Sequence, residues 1–186
     1  ELGYSGPLKQ HQFILFQSLV RPEGFSQQAV ESFQSAMARH CELRRWKSLS
    51  DIPKGTSAVA ASRVVEMIET EPLESLDDRL VEELDCMVVM ICASTLGDSH
   101  SCGLLKSQLK STDDDLPVWL VLVHEAAWVE QAVAERIRDT FGTGFRLLHI
   151  RRGHHADNAR AVRQVLGLTL GLVLGGGGAR GFAHAG

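Results

Sequence analysis

The sequence predicts an α/β protein built on a doubly wound parallel sheet, and three observations carry that expectation. Short apolar or β-branched runs alternate with longer amphipathic ones along the chain. Two of the runs, Cys86–Ala93 (CMVVMICA) and Val118–His124 (VWLVLVH), are apolar on both faces. The stretches between runs are long enough to hold a helix. Strands apolar on both faces belong inside a parallel sheet covered on both sides. Strands joined through helices of this length form right-handed βαβ units.

Each element follows from its own pattern. Gln12–Val20 (QFILFQSLV) reads as a buried strand, and Ser26 is suited to cap a helix running to about His40. Glu42–Trp46 is expected to be a short strand. Ser57–Glu69 is expected to be helical, because Ala61, Val64, Val65 and Ile68 fall at i, i+3, i+4 and i+7. Leu73–Leu84 reads as a second helix with its acidic residues in water. After the strand at Cys86–Ala93, a helix is expected from about Ser99 to Lys110 and a loop over Thr112–Pro117, which carries three consecutive aspartates. Beyond the strand at Val118–His124, Val129–Thr140 is a helix with Val129, Val133 and Ile137 on one stripe. Phe145–Ile150 is a strand, Asp157–Leu166 a helix, and Leu168–Leu174 a last strand that runs into glycines.

Composition narrows the function classes. The 186 residues suffice for one large domain, or for one domain and part of another. A formal net charge of −4 argues against a nucleic-acid partner, which calls for a basic face. The cysteines, Cys41, Cys86, Cys92 and Cys102, form no Cys-x-x-Cys pair and read as buried thiols in a reducing compartment. No metal and no other cofactor is expected. The longest uncharged stretch, between Arg163 and Arg180, is too short and too rich in glycine to span a membrane. No secretory signal opens the chain, so a cytoplasmic location is expected. Both ends are expected to be cuts from a longer protein.

A doubly wound sheet invites a nucleotide at its first strand-to-helix turn. That turn, Leu19-Val-Arg-Pro-Glu-Gly-Phe-Ser26, carries one glycine and a glutamate that would repel phosphate. Nucleotide binding there is disfavoured, and a packing or regulatory module is the better reading. Gly97-Asp98-Ser99-His100 reads as a helix N-cap. His124 reads as a satisfied core histidine. Asp113–Asp115 lack the alternating spacing of a calcium loop and read as solvated. Arg151, Arg152, His154 and His155 (RRGHH) could hold an anion, though a solvated loop explains them more simply.

The most specific signal is Leu174-Gly175-Gly176-Gly177-Gly178-Ala179-Arg180-Gly181-Phe182-Ala183-His184-Ala185-Gly186. Glycines after a buried strand let several backbone N–H groups converge on one point. Such a nest stabilises either a pyrophosphate or the oxyanion of acyl transfer. Gly176-x-Gly178-x-x-Gly181 matches the dinucleotide fingerprint only weakly, because any glycine run satisfies it.

The longer string closely resembles the opening motif of the patatin-like phospholipases, in the form found in the neuropathy target esterase branch and its bacterial relatives. The resemblance is sharp at the C-terminal end and architectural elsewhere. It implies a Rossmann-like segment over 11–152, a linker helix over 153–167 and, over 168–186, the first strand and loop of a patatin-like α/β domain. It implies that the backbone amides of Gly176, Gly177 and Gly178 form an oxyanion hole, that Arg180 supports the loop, and that Gly181 lets it close onto a helix. His184 would lie on that helix without acting as a base, since the family uses a Ser-Asp dyad. The implied substrate is a phospholipid or lysophospholipid, met at a membrane surface. Cyclic-nucleotide-binding domains would lie N-terminal to this chain.

The chemistry of that family needs a serine on a Gly-x-Ser-x-Gly elbow. Gly-x-Ser occurs at Ser5, Ser26, Ser57 and Ser99, but Pro7, Gln28, Val59 and Ser101 replace the closing glycine. The nucleophile and its aspartate are therefore expected outside these residues, and the chain alone is expected to hydrolyse no ester. Two other readings stay open: a nucleotide-binding module whose phosphate loop is Gly175–Gly181, and a structural linker without catalysis.

Overall fold

The computed structural model describes residues 11–18, 25–53, 63–70, 78–92, 99–111, 116–125 and 131–169. They form six strands and five helices, together with a single 3-10 turn at Leu49–Asp51. The strands are β1 (His11–Ser18), β2 (Glu42–Trp46), β3 (Val64–Thr70), β4 (Cys86–Cys92), β5 (Val118–His124) and β6 (Arg146–Arg151). The helices are α1 (Phe25–Ala38), α2 (Asp78–Glu83), α3 (Ser99–Ser111), α4 (Gln131–Phe141) and α5 (His155–Val165). All the strands pair in parallel in one sheet of order β2-β3-β1-β4-β5-β6. The arrangement is Rossmann-like and doubly wound: the chain extends the sheet on one side of β1, then returns to extend it on the other.

Alternation along the strands sorts the core into two layers. Ile14, Phe16, Val88, Met90, Val121 and Val123 face one side, where Phe33 and Met37 of α1 and Ala161, Val162 and Val165 of α5 cover them. Leu15, Met87, Val89, Leu120 and Leu122 face the other, beneath Leu105 of α3 and Val133 and Ile137 of α4. Every residue of β4 is buried, as its double-faced apolar run requires.

One element departs from expectation. The segment read as a helix over Ser57–Glu69 holds strand β3 from Val64 onward, while 54–62 lie outside the described residues. The spacing of Val64, Val65 and Ile68 suits a helix face, but these β-branched residues also fill both faces of a strand. Burial on both sides decides the matter: Val64, Val65, Met67 and Ile68 are all enclosed between β1 and β2. The same burial accounts for the strand order. In the dinucleotide-binding order 3-2-1-4-5-6 the second strand lies beside the first. Here the apolar β3 takes that interior place, and β2, with Glu42, Arg44 and Arg45, forms the edge, where charged side chains reach water and discourage further pairing.

The helix expected over Leu73–Leu84 is described only as the short α2. Helix α5 begins two residues before the expected Asp157 and packs against α1 and β6. It closes in a Schellman motif: Gly167, at φ +68°, donates to the Gln164 carbonyl at 3.1 Å, and Leu168 to Arg163 at 2.7 Å. Leu168 then packs against the core. The last expected strand, Leu168–Leu174, lies outside the described residues from position 170 onward.

Candidate functional site

In open α/β sheets, ligands bind beyond the carboxyl ends of the strands. Of the six strands, β2, β5 and β6 have described residues leading on from that edge, and the last two bring a group of polar side chains together there. His124 closes β5 and is buried; its Nε2 lies 2.9 Å from Nδ1 of His149 on β6, with the rings stacked. Burial, together with His124, Arg160 and Arg138 nearby, pushes the His149 pKa below its ordinary value. The two ring nitrogens are within hydrogen-bond distance, and the lowered pKa favours the neutral form of His149. This satisfied arrangement is the one expected for His124.

One strand over, Arg151 ends β6 and meets the first turn of α5. Its Nε donates to Oδ2 of Asp157 at 2.7 Å, Nη2 donates to Oδ1 at 3.0 Å, and the backbone amide of Arg151 also reaches Oδ2. Asp157 is 4% exposed, and the Arg151 hydrogen bonds hold its pKa down at about 2. A carboxylate in the first turn also suits the positive end of the helix dipole. Gly153, at φ +67°, turns the chain between these two elements.

Beside this turn lies a cleft of about 130 Å3 between α1 and α5. Val123 and Ile150 form its floor; Gln28 and Ser32 of α1 face Arg152, His155 and Asn158 across it. The sequence signalled Arg151, Arg152, Gly153 and His155 of this lining in RRGHH. Asn158 was missed, although it left a trace: it is a polar residue on the same buried helical stripe as Ala161, Val162 and Val165.

A third polar cluster lies lower in the sheet. Glu66 of β3 is fully buried and accepts hydrogen bonds from Arg44 and Trp46 of β2, with His11 of β1 at 3.2 Å. Arg44 stands directly opposite Glu66 in register. The cluster fastens the edge strand to its neighbour, and its carboxylate is fully engaged. All four cysteines are buried, and none is in a disulfide. Burial raises the Cys41 thiol to about 11 and the Cys86 thiol to about 12, so both stay protonated and non-nucleophilic at neutral pH. Among the described residues, no three His, Cys, Asp or Glu side chains gather to hold a metal.

Gly176, Gly177, Gly178, Arg180 and Gly181 lie outside the described residues, as do the first strand-to-helix turn at 19–24 and the aspartates at 113–115. Comparison with known proteins bears on the sequence alone. No family model matches the chain. A stretch of 36 residues, 19% of the chain, is 64% identical to part of "Lysophospholipase NTE1" from Mycosarcoma maydis. The match spans 2% of that protein's length.

Proposed function

We propose that this chain is part of a serine esterase that hydrolyses phospholipids or lysophospholipids, and that Gly176, Gly177 and Gly178 supply its oxyanion hole. The glycine string from Leu174 to Gly186 carries the reading. The short match to a protein named as a lysophospholipase supports it. Backbone amides fixed in place stabilise the charge that develops on the carbonyl oxygen as a nucleophile attacks the ester. Arg180 would hold the loop's shape, and Gly181 would let it approach the following helix. No Gly-x-Ser-x-Gly occurs in these residues, so the nucleophilic serine and its aspartate belong to sequence outside them. The Rossmann-like segment over 11–152 then serves as a packing and regulatory module beside the catalytic domain, joined to it through 153–167.

Access to lipid would be peripheral: among the described residues no helix is long and apolar enough to cross a membrane. A cytoplasmic enzyme working at a membrane surface fits this reading, with cyclic-nucleotide-binding domains preceding it.

The test is fatty-acid release from lysophosphatidylcholine by the parent protein, with and without Gly177→Leu. A bulky side chain in the nest should lower kcat by about 100-fold or more, the range for loss of an oxyanion donor. A parent that hydrolyses no lipid ester, or a variant with undiminished kcat, would refute the assignment.

A further inference from the structure

We propose that the flank formed by α4, β6 and α5 docks against a membrane surface rich in anionic lipid. The choice of a lipid surface rests on the esterase reading; the basic flank itself stands on the described residues alone.

β6 is the last strand on its side of the sheet, and among the described residues it pairs with β5 only. Helix α4 covers one face of the sheet beside it and α5 the other. Exposed arginines come to this flank from all three elements. Arg146 of β6 stands over the Trp119 ring, 4.9 Å from its centroid. Arg160 of α5 donates from Nη2 to the His149 carbonyl at 3.0 Å. After burial and His124, Arg160 and Arg138 lower the His149 pKa, so Arg138 of α4 bears on that ring from the opposite layer. Arg163 follows Arg160 by one helical turn and is exposed beside it.

These side chains keep their charge. Arg146 is partnered by an aromatic face and Arg160 by a carbonyl, and both partners are neutral. Asp157 also lies 3.7 Å from Arg160, but that carboxylate is already paired to Arg151 by two shorter hydrogen bonds. Arg151 and Asp157 therefore cancel, and neither they nor Arg152 are counted in the flank. The other exposed charges from α4 to α5 are five arginines, at 136, 138, 146, 160 and 163, against Glu135 and Asp139, a surplus of three positive charges. The whole chain has a formal net charge of −4, so this surplus stands against an acidic background. Such an asymmetry steers a protein onto a surface of opposite charge and fixes which side faces it.

The backbone of β6 decides between two kinds of anionic partner. An extended acidic peptide would add to the sheet as the next strand, through the backbone groups that β6 turns outward. The Arg152 amide donates inward to the His124 carbonyl, so by alternation His149 and Arg151 turn their backbone groups outward. Side chains of α5 already take up two of these groups. Arg160 holds the His149 carbonyl, and Asp157 Oδ2 accepts from the Arg151 amide at 3.1 Å. The edge is thus closed to strand addition, while the guanidinium groups around it stay exposed. A layer of headgroups needs no backbone pairing. It needs positive charge spread over one side, and guanidinium groups suit its phosphates. Each arginine held near an anionic lipid surface strengthens binding by about fivefold.

Co-sedimentation of the 186-residue chain with vesicles tests the proposal. At low salt the chain should pellet with vesicles of equimolar phosphatidylcholine and phosphatidylserine, and stay in solution with phosphatidylcholine alone. Salt at about 1 M should release it. Arg138→Gln, Arg146→Gln and Arg160→Gln together should weaken binding by about 100-fold. Arg39→Gln, Lys47→Gln and Lys106→Gln together remove the same charge from exposed positions on other elements and should leave binding unchanged. Where the first triple variant perturbs folding by circular dichroism, Arg138→Glu alone should still weaken binding by more than about tenfold. No pelleting with the anionic vesicles, or an equal loss in the two triple variants, overturns the proposal. Capture by immobilised polyglutamate without vesicle binding assigns the flank to an acidic protein and overturns the lipid assignment. Pelleting needs no turnover, so this outcome is separate from the fatty-acid release that tests the esterase reading.

Discussion

The guanidinium of Arg151 meets the carboxylate of Asp157 edge to edge, with two nearly parallel hydrogen bonds of 2.7 and 3.0 Å. Such paired, charge-assisted bonds are the strong kind. Here they join the end of β6 to the first turn of α5.

The first prediction concerns acid. The Asp157 pKa in the fold is about 2, below its ordinary 3.8. The unfolded chain therefore takes up this proton first as pH falls. The stability from this group is complete above about pH 3.8 and is lost as pH drops toward 2. It amounts to about 2 kcal/mol. Asp157→Asn should lose roughly that amount at pH 7 and flatten the acid limb, as read by urea unfolding at several pH values. An unchanged acid limb would contradict the assignment.

The second prediction concerns the histidine pair. The His149 pKa is depressed below 6.5, chiefly by burial and then by His124, Arg160 and Arg138. Its contribution is fully present above pH 6.5 and falls away as pH drops below that value through the folded-state pKa, because the unfolded ring protonates first. His149→Gln should remove this part of the pH dependence. Titration of the His149 ring protons by NMR should show a midpoint below 6.5. A midpoint above that value would rule the depression out.

The third concerns thiols. Cys41 and Cys86, with pKa values of about 11 and 12, should react with a thiol reagent at pH 7.5 only when the protein opens. Labelling followed by mass spectrometry should track urea unfolding. Rapid modification of either cysteine in the folded protein would show that the thiol is not shielded.

The fourth concerns the end of α5. Gly167 adopts φ +68°, where a Cβ is disfavoured. Gly167→Ala should cost about 1–2 kcal/mol, measurable as a lower urea midpoint with an unchanged m-value. An equal or higher midpoint would mean that the Schellman turn does not hold this conformation in solution.

How far the sequence carried the fold depended on whether one residue run could have one meaning. Cys86–Cys92 and Val118–Val123 could be little else than central strands, because they are apolar at every position. Val64–Ile68 carried two meanings. Their spacing fits a helix, and Glu66 in the middle looks like its wet side. Only pairing across the sheet shows that Glu66 is buried and held by Arg44 and Trp46, and such distant partners leave no mark on local periodicity. The exchange of β2 and β3 was hidden for the same reason. At the site, the glycine string announced itself by composition, and RRGHH by its charge. The rest of the cleft comes from Gln28 and Ser32, far away in sequence, and from Asn158, whose unpaired oxygen emerges only once its neighbours are placed.

Helix α5 starts beside β6 at the carboxyl edge of the sheet and ends where Arg63, at the opposite edge, donates to the Leu166 carbonyl at 2.8 Å. Its 11 residues make a rod about 16 Å long. One end borders the cleft; the other hands the chain on toward Thr169. The helix is thus a strut clamped at both ends, by Asp157 at one and by the Gly167 turn and Arg63 at the other. Any change in tilt at the clamped start of a rigid helix must move the point from which the following segment departs, so the position of Thr169 is set from both edges of the sheet.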